Sequence, residues 1–224
     1  MLSETEQSLE AISDRLGLPC AWLKQVFESG NNYRVYPKKS SRKVRLIEAP
    51  RPRLKAIQRR LLDFVFSAIP SGDYCHGFCL GRSIFTHAAT HTKRPVVITM
   101  DVKDFFPSVK SFMLEPVLAA TFPDSKQISL VIELVTRSGR LPQGAPTSPH
   151  LANLVFNPID EKIASGLPNG WRYSRYADDL ALSGEGDAEA VINFVSGVIM
   201  KAGFRTRRDK TRIMGRNRRQ IVTG

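Results

Sequence analysis

The chain reads as an α+β protein in which helices pack on an antiparallel sheet. Short runs of strand-like character occur at 96–100, 171–176 and 180–183, the first two rich in β-branched or aromatic residues, and the last two are close enough in sequence to form a hairpin. Longer runs with helical apolar spacing cover 54–69 and 188–202. The chain shows no internal repeat, low-complexity tract or coiled-coil heptad.

In order along the chain, Leu9, Ile12 and Leu16 recur at helical spacing, Leu18-Pro19 breaks the run, and Trp22, Leu23, Val26 and Phe27 resume it before Gly30. Tyr33–Tyr36 and Lys43–Ile47 read as two strands joined by the polar turn Lys38 to Arg42. The proline-bounded Pro50-Arg-Pro-Arg leads into a helix from Leu54 to Ile69, with Ile57, Leu61, Leu62, Val65 and Phe66 inward. Pro70-Ser-Gly-Asp marks the next boundary. Strand 96–100 precedes Phe105-Phe106-Pro107, helices are expected over 111–122 and 125–138, and another starts after Pro149. The final helix, Ala188 to Ala202, carries Val191, Ile192, Phe194, Val195, Val198 and Ile199 on its apolar face.

At 224 residues the chain can bury one substantial core or two packed subdomains. No apolar run approaches the roughly 18 residues of a membrane span, and the start, Met-Leu-Ser-Glu-Thr-Glu-Gln, lacks a signal-peptide pattern. With only three cysteines a disulfide framework is not expected, and a reducing cytoplasm is the default location. The net charge of +12 is concentrated. Residues 38–60 hold ten Lys/Arg against Glu48, and residues 201–219 hold nine against Asp209, so together they carry +17 and the rest of the chain −5. Such stretches suit a polyanion held by its phosphates, and a solvated basic face is the plain alternative. Neither stretch has the apolar face that membrane-surface binding needs.

Chemistry is concentrated at Tyr176-Ala177-Asp178-Asp179, between the two hairpin strands. A tight turn there pushes both acids out at one end of a sheet, where like charges repel unless a cation sits between them. Val96-Val97-Ile98-Thr99-Met100 is an apolar strand that ends in Asp101, and can bring a third carboxylate beside the pair. Hard oxygen donors of this kind suit Mg²⁺. Two such ions about 3.5–4 Å apart clamp the attacking and leaving oxygens in phosphoryl transfer. The chemistry indicated is nucleotidyl transfer.

Further segments fall in a telling order: Lys-Val-Arg-Leu-Ile-Glu-Ala-Pro (43–50), Leu-Lys-Ala-Ile-Gln (54–58) and Gly-Phe-Cys-Leu-Gly-Arg-Ser-Ile (77–84). Next come Met-Asp-Val-Lys-Asp-Phe-Phe-Pro-Ser-Val (100–109), Leu-Pro-Gln-Gly-Ala-Pro-Thr-Ser-Pro (141–149) and Tyr-Ser-Arg-Tyr-Ala-Asp-Asp-Leu (173–180). Gly203-Phe204 with Lys210-Thr211, and Gln-Ile-Val-Thr-Gly (220–224), complete the set. In this order they resemble the bacterial reverse transcriptases, most closely those of retrons, with group II intron enzymes more distant. The resemblance covers nearly all of residues 33–224.

It implies a right-hand polymerase fold of fingers and palm, with an N-terminal helical extension at 1–32, fingers mainly at 33–98, and palm at 99–224 with a fingers helical insertion around 111–140. Asp101, Asp178 and Asp179 resemble the palm acids around two Mg²⁺ ions, for which Mn²⁺ is a substitute, and the Val102 carbonyl is a further ligand. Asp104 is read as a structural or helix-capping acid instead. Phe106 matches the position beneath the sugar of the incoming nucleotide, where a bulky ring favours dNTP over rNTP; Phe105 reads as core. Lys38 and Arg45 match fingers positions that grip the triphosphate, with Lys39 as the competing lysine. Gln143 resembles a contact to the nucleotide sugar. Lys210 is the candidate for protonating the pyrophosphate leaving group, and a plain backbone-phosphate contact is its rival.

Two features resemble the retron branch. His87-Ala-Ala-Thr-His91 stands where those enzymes carry Asn-Ala-x-x-His, and Val222-Thr223-Gly224 resembles their Val-Thr-Gly motif just before the thumb. Both imply recognition of a structured RNA, which would put His91 and Val222 to Gly224 near an RNA surface. Cys75, Cys79, His87 and His91 also form a Cys-x₃-Cys…His-x₃-His array. The seven residues between its pairs are short of a zinc-finger interval, and free core cysteines account better for the thiols.

The family continues past this point into a helical thumb, so the chain is read as a fingers-and-palm portion without it, whether trimmed or naturally minimal. The expectation is an RNA-directed DNA polymerase that extends a DNA or RNA primer on an RNA template with dNTPs. A structured non-coding RNA is an expected partner, and the missing thumb or a protein partner would complete the site. Antiphage defence follows from the resemblance alone. Two alternatives stand beside this: an RNA-binding or scaffold module that is weakly active or inactive by itself, and a nuclease or cyclase on a similar palm.

Overall fold

The structure, a computed structural model, describes residues 2–40 and 43–223. Ser41 and Arg42 of the expected 38–42 turn, and Gly224, lie outside the described residues. In chain order the elements are α1 (Glu4–Leu16), α2 (Cys20–Ser29), β1 (Tyr33–Ser40), β2 (Lys43–Pro50), α3 (Pro52–Phe64), α4 (Ile84–Ala89), β3 (Val96–Asp101) and α5 (Phe105–Ser108). They continue with α6 (Glu115–Ala119), α7 (Ser125–Val135), α8 (Ser148–Gly166), β4 (Arg172–Tyr176), β5 (Asp179–Gly184), α9 (Ala188–Lys201) and β6 (Arg212–Gly215). The α+β reading is borne out. These elements fall into two compact units, Met1–Pro70 with Val109–Ala152, and Ser71–Ser108 with Asn153–Gly224. Residues 71–98 therefore group with the second unit rather than with the ribbon that precedes them.

In the first unit, Ser3 and Glu6 form a reciprocal capping box at the start of α1, and Gly17 ends the helix at φ 59°. Pro19 separates α1 from α2, as the broken periodicity predicts. β1 and β2 form a two-stranded antiparallel ribbon running from Tyr33↔Pro50 to Ser40↔Lys43. α3 buries Leu54, Ile57 and Leu61. It stops short of the expected Ile69 because Val65 leaves the helical region at φ −122°, and Phe66–Ala68 then form a 3-10 turn.

The second unit is built on a four-stranded antiparallel sheet of order β4-β5-β3-β6. Directly opposed residues share a face, so Ile98, Met100, Leu180, Leu182 and Tyr173 line one side, all nearly fully buried. α8 meets that side: the Tyr173 hydroxyl donates to Asp160 Oδ1 at 2.6 Å, and Phe156 stacks edge-on against Phe105 and Phe204. The other side carries Asp101, Asp179, Ser174 and Ser183, with Ser174 met by His87 of α4 and Ser183 by His91 just after it. β6 and α4 are absent from the sequence reading, since β6 is only four residues set in a basic stretch and α4 spans only six residues.

Candidate active site

β3 is buried on both faces and delivers Asp101, only 4% exposed, at its C-terminal end. In the register, Asp101 stands directly opposite Asp179, the first residue of β5. Opposed side chains of antiparallel strands have Cβ atoms about 4.5–5.5 Å apart, so two carboxylates are held side by side. The third acid, Asp178, occupies the two-residue loop that closes the hairpin between Tyr176 and Asp179. The Val102 amide donates to the Asp178 carbonyl at 2.9 Å and fastens that loop to the end of β3.

The loop is bent at Ala177, whose φ of 55° is uncommon for a residue with a Cβ. A buried network holds it there. Arg175 is fully buried; it donates to both oxygens of Asp160, to Asn153 Oδ1 at 3.0 Å and to the Ala177 carbonyl at 3.1 Å. Its guanidinium also lies 4.7 Å from the centre of the Phe156 ring. Gly77 backs the same bend, where an added Cβ would come within 2.6 Å of the Ala177 nitrogen.

Crowding is visible in the electrostatics. The Asp179 carboxyl is pushed up to about 6, chiefly by burial and then by Asp178 and Asp101, with Lys210 pulling it down. Lys210 Nζ pairs with Asp101 Oδ2, and Arg207 Nε lies 3.7 Å from Asp101 Oδ1. Asp101, Asp179 and Lys210 line a cavity of about 490 Å³ together with Arg212 and Arg218. Phe106 is half-buried, with its ring centre 6.4 Å from that of Phe78 and 5.5 Å from that of Phe105. Phe105 is 4% exposed and belongs to the core, as expected. Asp104 sits just before α5 at φ 48°, and its backbone carbonyl accepts from the Ser108 amide.

The first unit gathers a separate set. Lys38 and Arg45 are direct cross-strand partners on the ribbon, both exposed, whereas Lys39 pairs with Val44 and so points to the opposite face. Gln143 lies in the loop after Leu141, and its carbonyl accepts from the Glu48 amide at 2.8 Å. Glu48, 2% exposed, is held by Arg137 and by Arg140 at 3.2 Å, which anchors that loop to β2.

A family model described as reverse transcriptase (RNA-dependent DNA polymerase) matches residues 36–221. The chain belongs to the reverse transcriptase family. Within it the likeness is to retron enzymes. The Retron Mx65 reverse transcriptase of Myxococcus xanthus is 40% identical over 210 residues, covering 84% of this chain and 49% of the relative. The Retron Ec86 reverse transcriptase of Escherichia coli is 30% identical over 205 residues, covering 89% of this chain and 64% of the relative. The chain thus spans about half the length of the first of these. A solved structure of apo telomerase from Candida tropicalis matches with a TM-score of 0.55 at 11% identity, covering 84% of this chain and 44% of that one, which is a likeness of fold.

Reverse transcriptases use divalent metal ions, and the donor chemistry here fits one. The acids offer oxygen ligands alone, and their mutual repulsion is relieved by a hard cation. As arranged, no group of three or more His, Cys, Asp or Glu among the described residues stands close enough to hold an ion, and Asp101 is engaged by Lys210 and Arg207. Sequence reasoning missed Arg175, Asp160, Asn153 and Glu48. A charged residue inside an otherwise buried strand was the available signal for Arg175. The expectation that His91 lies near an RNA surface is corrected: it is 3% exposed, and its ring nitrogens are spent on Ser183 and Ser174, each at 2.8 Å. Val222 and Thr223 are half-buried. No helix among the described residues is long and apolar enough to cross a membrane.

Proposed function

We propose that this chain is the fingers and palm of an RNA-directed DNA polymerase of the retron kind, working in the cytoplasm on a structured RNA with a primer and dNTPs. The observation that carries the reading is the register that sets Asp101 opposite Asp179, with Asp178 in the adjoining two-residue loop and Lys210 alongside. The second unit is then the palm and the first the fingers.

Asp101, Asp178, Asp179 and the Val102 carbonyl would hold two Mg²⁺ ions. When bound, such ions polarise the α-phosphate and make a primer hydroxyl a better nucleophile. The chain's own groups do the rest. Lys38 and Arg45, side by side on the ribbon, neutralise the triphosphate and orient it. Gln143 positions the sugar, and the Phe106 ring occupies the space that a 2′-hydroxyl needs. Lys210 donates a proton to the departing pyrophosphate oxygen. Its ammonium stands against Asp101 at the same strand end.

The test is Mg²⁺-dependent extension of a labelled primer on an RNA template, beside an Asp178→Ala/Asp179→Ala control. Template-directed dNTP addition that the double mutant lacks supports the reading. Consumption of a single nucleotide without template would point to a cyclase. One observation favours a binding module instead: Asp101 is already ion-paired with two cations. Salt-sensitive RNA binding without any extension would uphold that alternative.

A further inference from the structure

Beneath the Ala177 bend lies a pair of cysteines that the proposed chemistry does not use. Cys75 is fully buried, Cys79 is half-exposed, and their sulfurs are 3.5 Å apart. Both sulfurs also lie against the Gly77 carbonyl, at 3.5 and 3.4 Å, where the Asn153 amide donates as well at 2.9 Å. The segment is stitched to the strand that enters the bend. Cys75 bridges Arg175 in parallel, the Arg175 amide donates to Tyr74, and the His76 amide donates to the Arg175 carbonyl.

We propose that Cys75 and Cys79 form a reversible disulfide on exposure to a peroxide, and that closing it shifts the Asp178-Asp179 turn. The Cys79 thiolate attacks one peroxide oxygen, the O–O bond breaks, and hydroxide leaves, giving a sulfenic acid. The Cys75 thiol then attacks the Cys79 sulfur; the S–O bond breaks, and the Cys75 proton passes to the departing oxygen, which leaves as water. Two thiols are oxidised, and one hydrogen peroxide is reduced to two waters.

Two features favour Cys79 as the sulfur attacked first. It is the more exposed, and its thiol is held below the usual range by the Cys75 hydrogen bond and then by Ser71 and nearby arginines, while the same bond and burial push Cys75 up. Bond formation brings the sulfurs from 3.5 Å to about 2.05 Å. The segment between them cannot absorb this freely. Gly77 is packed on the Ala177 backbone too closely for a Cβ, and Phe78 at φ 59° carries a ring against Phe106. Oxidation also takes any S–H donor from the Gly77 carbonyl and leaves it the Asn153 amide. The effect on catalysis rests on the proposed function, whereas the disulfide and the shift of the turn do not.

The test treats the whole chain with hydrogen peroxide; one portion is denatured and alkylated with N-ethylmaleimide for intact mass and peptide map, and a native portion is read by hydrogen exchange across β4 and β5. The expected product has lost two hydrogens, takes up one maleimide at Cys20 instead of one at each of the three cysteines, and reverts with dithiothreitol. Exchange at the turn amides should rise in the oxidised form and be unaffected by peroxide in Cys79→Ser. Uptake at all three cysteines after peroxide, or a disulfide that includes Cys20, overturns the pairing. A Cys75–Cys79 disulfide with unchanged exchange overturns the coupling to the turn. Primer extension is read on native, unalkylated portions of the same oxidised protein and should fall at least about tenfold until dithiothreitol is added. If the reduced protein extends nothing, the polymerase reading fails while mass and exchange still decide this proposal.

Discussion

Arg175 donates a 3.1 Å hydrogen bond to the carbonyl of Ala177, two residues ahead on the same hairpin, and so fixes the bend that presents Asp178 and Asp179. The same guanidinium is neutralised by Asp160, 1% exposed at its side chain, so the turn is held by a charge pair removed from water.

Breaking that pair should be costly. Asp160→Leu leaves a buried guanidinium unpaired, and the expected loss is about 3–5 kcal/mol. Asp160→Leu with Arg175→Met should recover most of it, because no charge is then stranded. Urea denaturation of both variants checks this, and equal losses in the two would contradict the account.

Asp179→Asn should cut primer extension by about 10³-fold or more, since it removes a charge that acts on the reacting phosphate. The same variant should melt higher than the parent at pH 7.5 without divalent ions. The raised carboxyl of Asp179 marks it as a charge its surroundings disfavour. Added Mg²⁺ should stabilise the parent and leave the variant nearly unmoved. A lower melting temperature for the metal-free variant would refute this.

The two buried histidines predict acid sensitivity. His87 is held down to about 3 and His91 to about 4, each mainly by burial. Their folded values lie below that of the unfolded chain, about 6.5, so the unfolded state binds more protons in between. Stability should be full above about pH 6.5 and fall as pH drops toward 4. Urea midpoints across that range would show it, and His91→Gln should flatten the slope.

Phe106→Ala should relax sugar discrimination, raising rNTP incorporation relative to dNTP by at least about tenfold while dNTP extension persists. Single-nucleotide kcat/KM values for matched dNTP and rNTP measure it. An unchanged ratio would assign Phe106 to packing against Phe78 and Phe105 alone.

Lys38→Ala should raise KM for dNTP more than Lys39→Ala does, because only Lys38 shares a ribbon face with Arg45. Steady-state titrations of dNTP on one template distinguish them. Equal effects would remove the ribbon register from the argument.

Much of this was legible in one dimension. Val96–Asp101 reads as a strand ending in an acid because its β-branched run ends where the charge begins, and Ala177-Asp178-Asp179 reads as a hairpin loop because strands flank it closely, although the structure draws Asp179 into β5. α1, α2, α3, α7 and α9 follow from apolar spacing and from breakers such as Pro19. The ordered motifs give the family directly. His91 misled because the motif resemblance tied it to RNA recognition, whereas a neutral imidazole with two serine partners is stable in a core.

The sequence by itself determined the longer elements, the three acids and the family, since propensity, periodicity and motif order are local properties of a chain. Tertiary structure alone decided which lysine stands beside Arg45, that Asp101 faces Asp179, that Asp160 neutralises Arg175, and that two cysteines meet under the bend. Strand register and burial are set by packing between distant segments. A shift of one residue exchanges the faces of a strand without altering its pattern.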